Sequence, residues 1–161
     1  MARIATIGVY EWDADSFVEA LDGANVSKLF DVRQRRGVRG SRYVWANSQR
    51  LQRLLAGAGI GYEHHPELAP TTELRHRQYA EDERQGVGKR SRVELAPEYI
   101  RHYTAEVLDI VPLEPFIRRL PVQGIGALMC VEATAAACHR SLVAARLAER
   151  FDFEVVNLEP R

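Results

Sequence analysis

The chain has 161 residues, 46% of them hydrophobic and 27% charged, and its 22 basic and 22 acidic side chains leave a formal net charge of zero. That length fits one domain with one core, and the charge balance argues against a module held to nucleic acid by bulk charge alone. No apolar run approaches the ~20 residues that span a bilayer, and the two cysteines are too few for a secreted disulfide scaffold.

Taken in chain order, Arg3 to Val9 is a short β-type run and the expected first strand. It follows a start that lacks a basic-then-apolar signal region, so a cytoplasmic protein with no membrane contact is expected. Asp13 or Asp15 can cap a helix through Leu21, with Gly23 as its stop. Lys28 to Val32 is the second strand. Residues 33–53 then carry seven arginines and no acid, broken by Gly37 and Gly40. Asn47 is a suitable N-cap for a helix whose Leu51, Leu54 and Leu55 recur at helical spacing. The third strand runs from Ile60 to His64.

Residues 65–96 are rich in charge and punctuated by proline and glycine. They read as an irregular loop or lid in which Thr72 to Glu83 can form a short polar helix. Pro97 opens a helix through about Ile110, Pro112 stops it, and Glu114 to Leu120 can add a turn or two. Ile125 to Val131 is the fourth strand, Cys138 to Arg150 the next helix, and Phe153 to Leu158 the closing strand. Strands alternating with helices predict a Rossmann-like α/β domain over residues 1–161: a mostly parallel open sheet of about five strands, with helices on both faces.

In such a sheet every strand's carboxyl end lies on one edge, where ligands bind. Polar residues sit at each predicted exit: Thr6 and Tyr10, then Asp31 and Arg33, then His64, His65 and Glu67, then Cys130 and Glu132 followed by Cys138-His139-Arg140. The last group is the richest. It holds both cysteines of the chain where a strand hands over to a helix, and helix N-terminal N–H groups attract anions there. The elements Thr6-Ile7-Gly8, Asp31-Val32-Arg33, Tyr62-x-His64-x-Pro66-x-Leu68 and Cys130-x-Glu132…Cys138-His139-Arg140 together resemble the domain-of-unknown-function 488 family (DUF488). The likeness spans nearly the whole chain. It implies an α/β fold and a set of positions rather than a reaction. Where the family pattern often has His-Ser after Thr-Ile-Gly and a glycine after Pro-x-Leu, this chain has Val9-Tyr10 and Ala69-Pro70.

From the residues themselves, Thr6, Tyr10, Asp31, Arg33, Glu67, Cys138, His139 and Arg140 are expected to hold a ligand, with Arg33 and Arg140 on an anion. Cys130, Glu132 and His64 are expected to do nucleophilic or acid–base work. A phosphatase loop needs a cysteine, five residues and an arginine, but that count from Cys130 ends on Ala136, so the mechanism is excluded. No Gly-x-Gly-x-x-Gly follows the first strand, which weakens a dinucleotide reading. Cys130, Glu132, Cys138 and His139 are suitable metal ligands, but their spacing lacks paired Cys-x-x-Cys units, so no metal is assigned and the cofactor is left open. Arg35, Arg36, Arg39 and Arg42, interleaved with Tyr43 and Trp45, could contact a nucleic-acid backbone and stack on bases.

The expectation is therefore a small α/β protein that binds, and can process, an anionic ligand such as a nucleotide or nucleic acid. One alternative is a non-catalytic nucleic-acid-binding or partner-binding module. The other is a metal or haem protein. Catalysis and oligomeric state are left open.

Overall fold

Five short apolar runs pair into one parallel sheet: β1 (Arg3–Ile7), β2 (Val26–Asp31), β3 (Gly61–His64), β4 (Ile125–Met129) and β5 (Glu154–Leu158), in the order β3-β2-β4-β1-β5. The structure is a computed structural model that describes residues 1–88 and 90–161. Pairing is in register with Ile4 beside Gly126, Ile7 beside Met129, Asp31 beside both Met129 and His64, and Ile7 beside Leu158. All five carboxyl ends therefore share one edge. The central strands β1, β2 and β4 are buried along most of their length, as strands covered on both faces must be.

Among the described residues six α-helices complete the frame: α1 (Ala14–Gly23), α2 (Ser48–Gly57), α3 (Thr72–Gln85), α4 (Pro97–Tyr103), α5 (Glu114–Arg118) and α6 (Arg140–Phe151). Phe17 and Leu21 of α1, Leu51 and Leu55 of α2, and Val143 and Leu147 of α6 bury their side chains completely. Right-handed crossovers put α1 and α6 on opposite faces of the sheet, because the chain moves one way after β1 and the other way after β4. Among the described residues no helix is long and apolar enough to cross a membrane.

Local chemistry explains the boundaries. Asp13 is the cap of α1: its carboxylate accepts from Ser16 N at 2.8 Å while Ser16 Oγ accepts from Asp13 N at 3.0 Å, a reciprocal capping box. Asn47 precedes α2 as expected, yet its side chain turns back to accept from Val38 N at 2.8 Å. It ties down the arginine loop instead of the helix. That loop also contains a 3₁₀ segment, Ser41–Ala46. Residues 65–96 are more regular than their composition predicts. A short turn at Pro66–Leu68 leads to α3, which starts on a Thr71 cap and ends at Gly86 with φ of 73°. The helix opened by Pro97 is α-helical only through Tyr103 and continues as a π-helical turn over Thr104–Leu108.

Outside the central strands, Glu63 on β3 gathers an ion network from Lys28, Arg119 and His65. Burial works to raise its pKa, but hydrogen bonds from Arg119, Lys28 and His65 outweigh that and bring the carboxyl from 4.5 down to about 2. Because the folded value is the lower one, the network stabilises fully above the unfolded value and is lost as pH falls towards about 2. Glu63→Gln should therefore cost about 1–2 kcal/mol in urea denaturation at neutral pH, allowing for solvent screening. The gap to wild type should close in acid. A pH-independent gap would refute this account.

Candidate functional site

The loops that leave β1, β2 and β4 meet at the point where the direction of winding reverses. This is where open α/β sheets form a crevice. A cleft of about 730 Å³ occupies it, within the range of small-molecule sites. Tyr10 comes from the loop after β1, Arg33 to Arg39 from the loop after β2, and Cys130 to Glu132 with Cys138 and His139 from the loop after β4. The segment after β3 supplies the remaining wall through Arg75, Gln78, Tyr79, Arg90, Arg92 and Leu95.

Backbone contacts hold the β1 and β4 exits together. Val9 N and Tyr10 N both donate to Val131 O, at 2.8 and 3.0 Å. Gly8 permits this approach, since a Cβ built there would lie 1.9 Å from Glu132 O. The Thr6-Ile7-Gly8 element thus has a steric reason for its glycine.

The floor of the cleft is a thiol–imidazole cluster. Cys130 is the first residue after β4, and Cys138 and His139 directly precede α6. His139 Nδ1 lies 3.6 Å from Cys130 Sγ and 3.7 Å from Cys138 Sγ. The other ring nitrogen, Nε2, donates to Val32 O at 2.8 Å. A carbonyl can only accept, so Nε2 carries the proton and Nδ1 faces the sulfurs. All three side chains are buried. Burial alone would raise the Cys138 thiol, but Cys130, His139 and Arg140 hold it well below the ordinary cysteine range. Burial lowers His139, but Cys138, the Val32 carbonyl and Glu132 together raise it above the ordinary imidazole range. Tyr103 closes one side with its ring centroid 5.6 Å from that of His139. Burial holds both Tyr103 and its stacked neighbour Tyr99 neutral, well above the ordinary phenol range.

Two buried ionic arrangements frame this floor. Asp31 receives Arg33 in a bidentate pair, Nε to Oδ1 at 2.9 Å and Nη2 to Oδ2 at 2.8 Å, and Tyr62 donates to it at 2.6 Å. Arg92 bridges two carboxylates, Asp82 at 2.6 Å and Glu132 at 2.7 Å, and also donates to Ala137 O. Gln78 donates to Asp82 at 2.9 Å and accepts from Ala96 N at 2.9 Å. This second arrangement fastens the wall built by α3 to the loop after β4.

The structure gathers some of the expected site residues and disperses others. Tyr10, Arg33, Arg35, Arg39, Cys130, Glu132, Cys138 and His139 all line the cleft. Thr6 is turned towards β5, donating to Asn157 at 2.7 Å. Asp31 lies behind Arg33, fully buried. His64 donates to Arg33 O at 2.8 Å, and Glu67 pairs with His65 at 2.7 Å; neither lines the cleft. Arg140 is fully buried and donates to Glu132 O at 2.7 Å and Ala133 O at 3.4 Å. It shapes the loop from beneath and holds no position on the cleft wall, contrary to its expected role on an anion.

The expected stacking surface also changes character. Tyr43 is fully buried, with Arg42 and Arg90 guanidinium groups 5.1 and 5.2 Å from its ring centre. Trp45 is half-buried and packs on Phe17 against the core, with ring centroids 4.8 Å apart. Neither ring is turned out to take a base. Arg42 pairs with Glu11 at 3.3 Å, and Arg36 does not line the cleft. Sequence reasoning missed Asp82, Arg90 and Arg92, which sit in the stretch read as loop. Their only signal was charge, one aspartate and two arginines without helical periodicity in a stretch already rich in charged residues.

Fold and site together define a class: an open parallel α/β protein with a cationic cleft at the winding reversal and a thiol–imidazole floor. Residues 13–147 match the family described as domain of unknown function DUF488, and the chain belongs to that family. No curated protein and no solved structure matches it.

Proposed function

We propose that the cleft binds a phosphate-bearing anion of the nucleotide class, and that reaction on it takes place at the Cys130–Cys138–His139 floor. The observation that supports this reading is the charge on the walls. Among the described residues six arginines line the cleft, at positions 33, 35, 39, 75, 90 and 92, and the one acidic lining residue is Glu132, which accepts from Arg92. Arg35, Arg39, Arg75 and Arg90 form no ion pair among the described residues. Guanidinium groups suit phosphate because their paired donors match its oxygens. Tyr79, with the Arg75 guanidinium 5.9 Å from its ring centre, offers an apolar surface for a base.

Within this reading Cys130 retains the reactive role expected of it. Glu132 becomes a positioning residue, because its partner Arg92 links it to Asp82. The alternative of a flat nucleic-acid surface along residues 33–53 loses its support with Tyr43 and Trp45 turned inward.

Differential scanning fluorimetry with inorganic phosphate, AMP, ATP and a short single-stranded DNA tests the proposal. A ligand at about 100 times its Kd should add about 2.7 kcal/mol, or roughly 5–10 °C in Tm for a chain of this size. Arg35→Ala with Arg39→Ala should weaken binding at least about tenfold, since each charged hydrogen bond is worth about 1.5–3 kcal/mol. Absence of any anion-dependent rise would overturn it.

A further inference from the structure

We infer that Cys130, Cys138 and His139 form a binding site for one thiophilic divalent cation of the zinc class, with a fourth coordination position open to the cleft. The three ligand atoms lie within 4.8 Å of one another. Zinc bonds sulfur at ~2.3 Å and nitrogen at ~2.0–2.1 Å, so a tetrahedral angle at the metal separates the two ligand atoms by about 3.5–3.6 Å. The two sulfur-to-Nδ1 distances are 3.6 and 3.7 Å. Two edges of the coordination tetrahedron are thus already at length, and placing a metal needs little movement of either backbone.

The ring that would ligate is also oriented for it. The bond from Nε2 to Val32 O fixes the imidazole and directs the Nδ1 lone pair to the sulfurs, the outer-shell support that metal-bound histidines characteristically have. Cys138 and His139 are held by the first turn of α6, and Arg140 braces that turn against the carbonyls of Glu132 and Ala133. Two thiolates and a neutral imidazole would balance a divalent charge, so the loaded cluster is electrically neutral and suits its burial. Binding releases the protons that the thiol–imidazole cluster still carries as the two metal–sulfur bonds form. Three protein ligands with one position left over is the arrangement of catalytic rather than structural zinc. All three residues line the cleft, so the open position faces it. Buried cysteines acting as small hydrophobes need no such convergence on one imidazole nitrogen.

Anion binding by the arginine walls rests on separate residues and is independent of this inference, whereas the metal changes the part played by Cys130 from reacting thiol to ligand and moves any reaction to the open coordination position. The reduced full-length protein, purified without chelator, is loaded with Zn2+ or Co2+ and passed through gel filtration. One metal per chain is expected, with a thiolate-to-metal charge-transfer band and tetrahedral visible bands in the cobalt form. Zn2+ should also shield both cysteines from iodoacetamide in the unaltered protein, a readout that requires no variant to fold. Cys138→Ser and His139→Gln should each weaken metal retention at least about tenfold against a chromophoric chelator, on the scale of losing a ligand's support. Arg35→Ala with Arg39→Ala should retain metal whether or not anion binding survives. Failure to hold either metal, cobalt bound without a thiolate band, or cysteines alkylated equally fast with and without Zn2+ would each overturn the site.

Discussion

Replacing Arg92 with methionine is expected to destabilise the protein by about 3–5 kcal/mol, the cost of stranding buried charge when one partner of an ionic network is removed. Arg92 touches Asp82 at 2.6 Å and Glu132 at 2.7 Å, and all three side chains are buried. Methionine fills much of the volume but leaves two carboxylates facing each other without a cation. The loss should read as a fall of roughly 10 °C or more in Tm, and it should shrink in acid, where protonation neutralises the stranded groups. Adding Asp82→Asn and Glu132→Gln to Arg92→Met should recover a large part of it, because the penalty lies in the remaining charges rather than in the lost contact. An Arg92→Met protein that melts within about 2 °C of wild type would show that the network carries little stability.

The second large effect is expected at Gly8. A methyl group there would meet Glu132 O at 1.9 Å and Glu132 C at 2.7 Å, both backbone atoms that cannot swing aside. Gly8→Ala must push β1's exit away from β4's exit and break the pair of bonds to Val131 O. A cost of about 3 kcal/mol or more is expected, at or above the upper end for overpacking. Unlike Arg92→Met, it should be insensitive to pH, since the clash is steric. Denaturant titrations at two pH values separate the two cases. A Gly8→Ala protein within about 0.5 kcal/mol of wild type would contradict the close approach.

These effects show what the sequence could and could not disclose. The five strands were legible because β-type runs such as Arg3 to Ile7 and Ile125 to Met129 stand between clear breakers. The convergence of Arg33, Cys130, Cys138 and His139 followed from topology, because parallel strands present their carboxyl ends together. Side-chain direction did not follow. Arg140 lies one residue beyond a cleft-lining histidine, yet the helix start turns it under the loop. Tyr43 belonged to a basic stretch that reads as surface, but the 3₁₀ segment over Ser41–Ala46 rotates its ring into the core. The wall from α3 to Leu95 was opaque because its decisive residues, Asp82 and Arg92, are charged groups that are buried only by virtue of each other. Composition assigns such residues to solvent. Only tertiary pairing reverses that assignment.

The strand order carries a consequence for synthesis on the ribosome. β1 and β2 are made first and never touch; β4 lies between them, pairing Ile4 with Gly126 and Phe30 with Leu128. Until residues 125–129 leave the exit tunnel, the earlier strands expose unpaired edges with no neighbour to complete them. The nascent polypeptide is thus committed to late, long-range closure, a regime of slow folding in which chaperone engagement has most to offer.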